Sequence, residues 1–249
     1  MNSYYLTDPG KIRTHNEDSV LIMTNNNNEV LMIVADGMGG HRSGEIASSI
    51  VVSHVGKSFS DKEKLGTKEE AKEWMKNVIS ESNVLIYKYT IENPDSMGMG
   101  TTIVMSLITK DYLLFGNIGD SSGYVLKNNH LHKITVDHTL VNLLVKSGEL
   151  TEEEAREHPR RNVLMRALGT NMSVEMDIFD VERDVDGILL CSDGLTNMLD
   201  LDKIAKVLNE DLTLENKLRK LIYKCNNRGG NDNISIACIL MNGGKKNDN

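Results

Sequence analysis

The sequence predicts an α+β fold in which antiparallel sheets are covered by pairs of helices. Strand-like runs come in clusters, at 3–7, 19–24 and 30–35 and then repeatedly within 101–134. Segments of helical period come as neighbours, at 45–59 followed by a long one opening at 67, and at 202–210 followed by 213–227. The regular strand–helix alternation of a parallel sheet is missing.

Each element has a local reason. Four asparagines at 25–28 separate two strand-like runs and read as a hairpin loop. In 45–59, Ile46, Ile50, Val51, Val55 and Phe59 share one helical face. Thr67-Lys68-Glu69-Glu70 is a capping box. The helix it opens carries the stripe Ala71, Trp74, Met75, Val78, Ile79, Leu85, Ile86 and Tyr89, and Asn93-Pro94 ends it. Residues 139–147 read as a short helix stopped at Gly148. Thr151-Glu152-Glu153-Glu154 is a second capping box, whose helix stops before Pro159. Strands are expected at 173–180, 186–192 and 234–240, and a frayed polar tail at 243–249. No linker divides the chain, so 1–242 reads as one domain.

Composition narrows the function. The 249 residues are 39% hydrophobic but only 4% aromatic, so the core should be aliphatic and rich in Met. A net charge of -8 argues against a nucleic-acid footprint. An anionic substrate must then be drawn by local cations. No segment is long and apolar enough for a membrane span, and the first residues carry no signal-peptide pattern. Three cysteines (Cys191, Cys225, Cys238) with no CxxC read as free core thiols in a reducing cytoplasm.

The chemistry is carried by five aspartates at the ends of apolar runs. Residues 30–35 (VLMIVA) lead into Asp36 of DGMGG, 112–118 into Gly119-Asp120-Ser121, and 188–191 (ILLC) into Ser192-Asp193-Gly194. Asp232 of GGNDN stands just before 234–240, and Asp18 just before 20–23. Carboxylates brought together repel unless a cation lies among them or some take up protons. Hard divalent cations favour such all-oxygen ligands, so the joint placement reads as a site for more than one metal ion. Taken singly, each motif is an ordinary strand-end turn. DGMGG is not a Walker A loop, because no Lys-Ser/Thr follows its glycines. Arg13 is suited to two oxygens of one phosphate, although on composition alone a surface salt bridge is the better reading. A close pair of ions points to hydrolysis by activated water. No Ser-His-Asp or Cys-His arrangement suggests a covalent intermediate.

These residues resemble the metal-dependent serine/threonine protein phosphatases of the type 2C or PPM family, above all its short bacterial members, which act opposite membrane-bound Ser/Thr kinases. The matching pieces follow the family's order through the whole chain. They are Arg13-x-x-Asn16-Glu17-Asp18, 36–41 (DGMGGH), 98–102 (GMGTT), Gly119-Asp120-Ser121, Asp137-His138-Thr139, 162–169 (NVLMRALG), 192–195 (SDGL) and Gly230-Asn231-Asp232-Asn233-Ile234. The resemblance implies two antiparallel sheets packed as a central sandwich between helix pairs, an α-β-β-α arrangement.

It further implies that Asp36 bridges two Mn²⁺ or Mg²⁺ ions, with the Gly37 carbonyl on one and Asp193 and Asp232 on the other. Asp18 and Glu17 would act through metal-bound water, and Asp120 with Asp193 would form a weaker third site. Arg13 matches the phosphate-binding arginine, and 138–163 the mobile flap. A hydroxide bridging the ions would attack phosphorus in line and expel a seryl or threonyl oxygen. Phosphoproteins, among them a cognate Ser/Thr kinase, would be the partners of a monomer.

Two positions depart from the pattern. Met38 stands where some branches carry a histidine acid, which leaves His41 or a metal-bound water to protonate the leaving oxygen. Ser122 replaces the arginine that usually follows Gly-Asp-Ser, and with it any ion pair that arginine would make. Two other readings compete: a pseudoenzyme, disfavoured because all the acids are present, and a metallohydrolase acting on nucleotides or nucleic acid, disfavoured by the acidic surface and the lack of a stacking cluster.

Overall fold

Three strands open the chain: β1 (Asn2–Asp8), β2 (Asp18–Thr24) and β3 (Val30–Met38). The long helices α1 (Ser43–Ser60) and α2 (Lys68–Glu92) follow. Then come β4 (Gly100–Thr101), β5 (Ile103–Ile108), β6 (Leu113–Ile118), β7 (Ser122–Lys127) and β8 (His130–Lys133). Two short helices, α3 (Leu140–Lys146) and α4 (Glu152–Glu157), precede β9 (Asp177–Val181) and β10 (Gly187–Cys191). The chain continues with α5 (Asp193–Thr196), α6 (Leu201–Leu208), α7 (Leu214–Asn226) and β11 (Ile234–Leu240). The structure is a computed structural model that describes residues 2–40 and 42–241. The expected tail at 243–249 lies outside the described residues.

One sheet runs in the order β1-β11-β10-β7-β8 and the other β2-β3-β5-β6-β9, with β4 beside β3. The pairings are antiparallel. The period of two along a strand then sorts side chains into layers. Val30, Met32 and Val34 enter the space between the sheets, where they meet Val104, Phe115, Leu190 and Ala237. Leu31, Ile33 and Ala35 face the other way, onto Val51 and Val55 of α1 and Met75 and Ile79 of α2. On the second sheet, Leu189, Cys191, Ile236 and Cys238 pack against Ile204 and Leu208 of α6 and Leu218 and Leu221 of α7. The result is the expected sandwich between helix pairs. Its inner strands β5, β6, β10 and β11 are largely apolar because both of their faces are covered, whereas β1, β8 and β9 at the sheet edges are more polar and partly exposed. The three cysteines are free and lie in the layer under α6 and α7.

Both capping boxes form. Thr67 accepts from the Glu70 N–H while the Glu70 carboxylate accepts from the Thr67 N–H, at 3.3 and 2.7 Å. Thr151 and Glu154 repeat the arrangement.

Three details differ from the expectation. Leu85 is 38% exposed; Ser82 and Asn83 hold the buried positions of that turn. Asn83 is buried because its amide works: it donates to the Asn171 and Met172 carbonyls and accepts from the Gly169 N–H. β9 starts at Asp177 instead of 173, where its pairing with β6 begins opposite Asn117. Finally, the single turn α5 follows β10 directly, too short to leave a periodic signal. Among the described residues, no helix is long and apolar enough to cross a membrane.

Candidate active site

Strand register brings the first two acids together. β2 and β3 pair so that Asp18 stands directly opposite Asp36. Like charges in that relation are unfavourable. The other sheet supplies Asp193, at the start of α5 just after β10, and Asp232, just before the neighbouring β11. Asp120 follows β6. The sheets are joined at this end by the Ser192 hydroxyl, which donates to Asp18 Oδ2 at 2.7 Å and accepts from the Ser235 N–H at 2.9 Å.

The backbone of Asp36 is held from several sides. Its N–H donates to Thr102 Oγ1 at 3.0 Å, and its carbonyl accepts from the Thr102 N–H at 2.8 Å and Thr101 Oγ1 at 2.9 Å. The Thr102 and Ser121 hydroxyls meet at 2.7 Å, linking the GMGTT segment to the turn that bears Asp120. Gly37 gives its N–H to the Glu17 carbonyl at 3.1 Å. A Cβ here would lie 2.0 Å from the Gly44 carbonyl oxygen and 2.6 Å from that of Glu17. Only glycine lets β3 run so close to the start of α1.

Burial dominates the electrostatics. It pushes the Asp18 carboxyl up to about 7, aided by Asp193 and Asp232. Asp120 is also raised to about 7 by burial, then by Asp193 and Asp137. Asp193 rises to about 6 by burial, then by Asp232. Asp36 is held well above the usual carboxylate range by burial and then by Asp18, Asp193, Asp120 and Asp232. Glu17 is raised by burial as well.

Asp18 Oδ1 and Asp193 Oδ1 are buried with no permanent hydrogen-bond donor. The Asp36 carboxyl reaches Asp193, but only its protonated form can bond there. Among the described residues, no three His, Cys, Asp or Glu side chains form a ready-made ion cage. Desolvated, donor-poor carboxylates from four chain segments make a hard oxygen set, and that chemistry fits divalent cations.

Arg13 lies on the loop between β1 and β2. Its Nη2 donates to Asp232 Oδ2 at 2.9 Å, and the two side chains are 50% and 33% exposed. The salt bridge expected from composition is therefore present, and its acid is one of the five aspartates. Lys133 binds Asp137 at 2.7 Å, and Ser122 approaches both Asp137 and the Asp120 carbonyl. A cation from β8 thus serves the acid beside Ser122. His41 lies outside the described residues.

His138 clasps the Asp120 turn. Its N–H donates to the Gly119 carbonyl at 2.9 Å, and its Nδ1 accepts from the Gly119 N–H at 3.1 Å. The ring proton is therefore on Nε2, which donates to Asp177 at 3.1 Å. Desolvation lowers the His138 pKa, and protonating Nδ1 would face one donor with another. Segment 138–163 is pinned at its base by Leu140 N–H to Val163 O and Met165 N–H to His138 O. Beyond that base, Val141 is the one buried residue of α3 and α4.

The polar residues Thr101, Thr102, Ser121, Ser192 and Asn233 have no role in the sequence reading beyond membership of motifs. Ser121, Ser192 and Asn233 are signalled only by adjacency to an acid, and Thr101 and Thr102 only by the GMGTT motif.

The sequence matches the family model described as Protein phosphatase 2C over residues 11–228. It is 42% identical over 243 residues to a serine/threonine phosphatase, stp, of Listeria welshimeri, covering 97% of this chain and 96% of the relative. The fold matches the serine/threonine phosphatase of S. agalactiae with a TM-score of 0.89 at 39% identity, covering 96% of this chain and 99% of the other. Serine/threonine phosphatase Stp1 of Staphylococcus aureus matches with a TM-score of 0.91 at 35% identity, over 97% of this chain and 95% of the other. The chain belongs to the protein phosphatase 2C family, a family of metal-dependent protein phosphatases.

Proposed function

We propose that this serine/threonine phosphatase hydrolyses phosphoserine and phosphothreonine in proteins with two divalent ions, Mn²⁺ or Mg²⁺. Asp36, the Gly37 carbonyl, Asp193 and Asp232 would hold them, with Asp18 and Glu17 acting through water and Asp120 completing a weaker third site with Asp193. The observation that carries this reading is the convergence of buried Asp18 with half-buried Asp36, Asp120 and Asp193, whose carboxyls desolvation and one another raise, with Asp18 Oδ1 and Asp193 Oδ1 left without a donor. When bound, such ions supply an attacking hydroxide at neutral pH and offset charge on the phosphoryl group.

The chain's own residues do the rest. Arg13 binds the substrate phosphate from the Asp232 side of the site, where its guanidinium already lies. Thr101 and Thr102 fix the strand that carries Asp36, so the acids need little reorganisation. His41 is the group we assign, from sequence, to protonate the leaving oxygen. All these residues come from one chain, so a monomer suffices. Free buried thiols suit a reducing cytoplasm, where a Ser/Thr kinase would make the phosphoproteins that this enzyme reverses.

The test is phosphate release from a phosphothreonine peptide. Release should require Mn²⁺ or Mg²⁺ and stop with a chelator, and DNA should stay intact under the same conditions. Undiminished release in chelator would contradict the reading.

A further inference from the structure

Residues 11–15, which carry Arg13, are all exposed. No apolar packing places this stretch, so hydrogen bonds must. Lys11 and Ile12 give their N–H groups to the Gly230 carbonyl at 2.8 and 3.2 Å. The other anchors converge on one side chain. Asn233 is 4% exposed at the entrance to β11. Its Nδ2 donates to the Pro9 carbonyl at 3.0 Å and to the His15 carbonyl at 2.9 Å. Its Oδ1 accepts the Glu17 N–H at 2.8 Å. These bonds bracket Arg13 from both sides. They also fix the amide's orientation, because two carbonyls and an N–H leave no alternative.

We propose that Asn233 is a positioning residue that holds Arg13 in register with the substrate phosphate. It touches no reacting atom and acts through the 9–17 loop. Its neighbour Asp232 takes the Arg13 guanidinium, so one turn fixes both the backbone and the side chain of this arginine. The proposal rests on the reading of Arg13 as the phosphate-binding residue.

A double-mutant cycle tests it, with p-nitrophenyl phosphate at saturating Mn²⁺. Asn233→Ala should raise KM by about tenfold with little change in kcat, because a loosened arginine costs binding more than chemistry. In an Arg13→Ala background the same substitution should change KM less than about twofold, since the residue it serves is gone. If Asn233→Ala fails to fold, Asn233→Asp keeps the Glu17 bond and the side-chain volume while removing both donations, and the same pattern is expected. An equal rise in KM in both backgrounds would overturn the proposal, as would a loss of kcat at constant KM or no change at all. Arg13→Ala with unchanged KM would instead remove the phosphate-binding reading on which it stands. The two failures are therefore distinguishable.

Discussion

Asp36 is surrounded by its own kind. It faces Asp18 across the strand pair, and the charged groups that act on it most are acids. A negative charge in that setting is costly, so desolvation and the neighbouring acids hold the Asp36 carboxyl well above the usual carboxylate range. Asp36→Asn removes the charge without changing the shape. It should cut phosphatase turnover by about a thousandfold or more if, as proposed, Asp36 is the ligand that both ions share. In chelator at neutral pH the same variant should melt at a higher temperature than wild type, because folding no longer has to place a proton on a side chain that is ionised in the unfolded chain. Near-normal turnover, or a lower melting temperature in chelator, would count against this account. The acids were legible in the sequence because each interrupts or borders an apolar run. Ser192 and Asn233 were not. An uncharged polar residue in a turn looks like any other until its partners, Asp18 or the 9–17 backbone, are in view.

Among the elements, β3 and α1 set the geometry of the site through their closest approach at Gly37. Gly37→Ala places a methyl 2.0 Å from a backbone carbonyl oxygen of α1, where no flexible side chain can yield. The helix or the strand must shift, at a cost of about 1–3 kcal/mol. Urea denaturation should show that loss, and Mn²⁺ affinity should fall with it. Unchanged stability would mean that the two elements are less tightly fitted than the geometry says. Local signals read the elements well where they were chemical. The capping box at Thr67 and the proline after Asn93 bound α2 as expected. The apolar stripe misled where function replaced greasy packing. Geometry requires the 82–83 turn to face inward, and Ser82 and Asn83 occupy it, so Leu85 was picked for its apolarity and lies outside.

For the whole molecule, the raised carboxyls make stability depend on pH and metal together. Asp18, Asp120 and Asp193 titrate near 7, 7 and 6 in the fold, above the usual value of about 4. A carboxyl raised by folding contributes stability while protonated, and that contribution disappears as pH climbs through its folded pKa. In chelator, these groups should lower the melting temperature as pH rises from about 5 to 7.5. With saturating Mn²⁺ the slope should reverse, because ions bind the deprotonated acids. Parallel curves in the two conditions would contradict the coupling. At this scale the layers were legible, because runs apolar on both faces must be covered twice. The order of strands within each sheet was not, since hydrophobicity alone does not choose neighbours. The central claim is that acids from both sheets converge on a pair of divalent ions. Anomalous diffraction from crystals grown with Mn²⁺ tests it most directly. The account predicts two peaks, both within reach of Asp36, with Asp193 and Asp232 on one of them; crystals without a peak among these acids would contradict it.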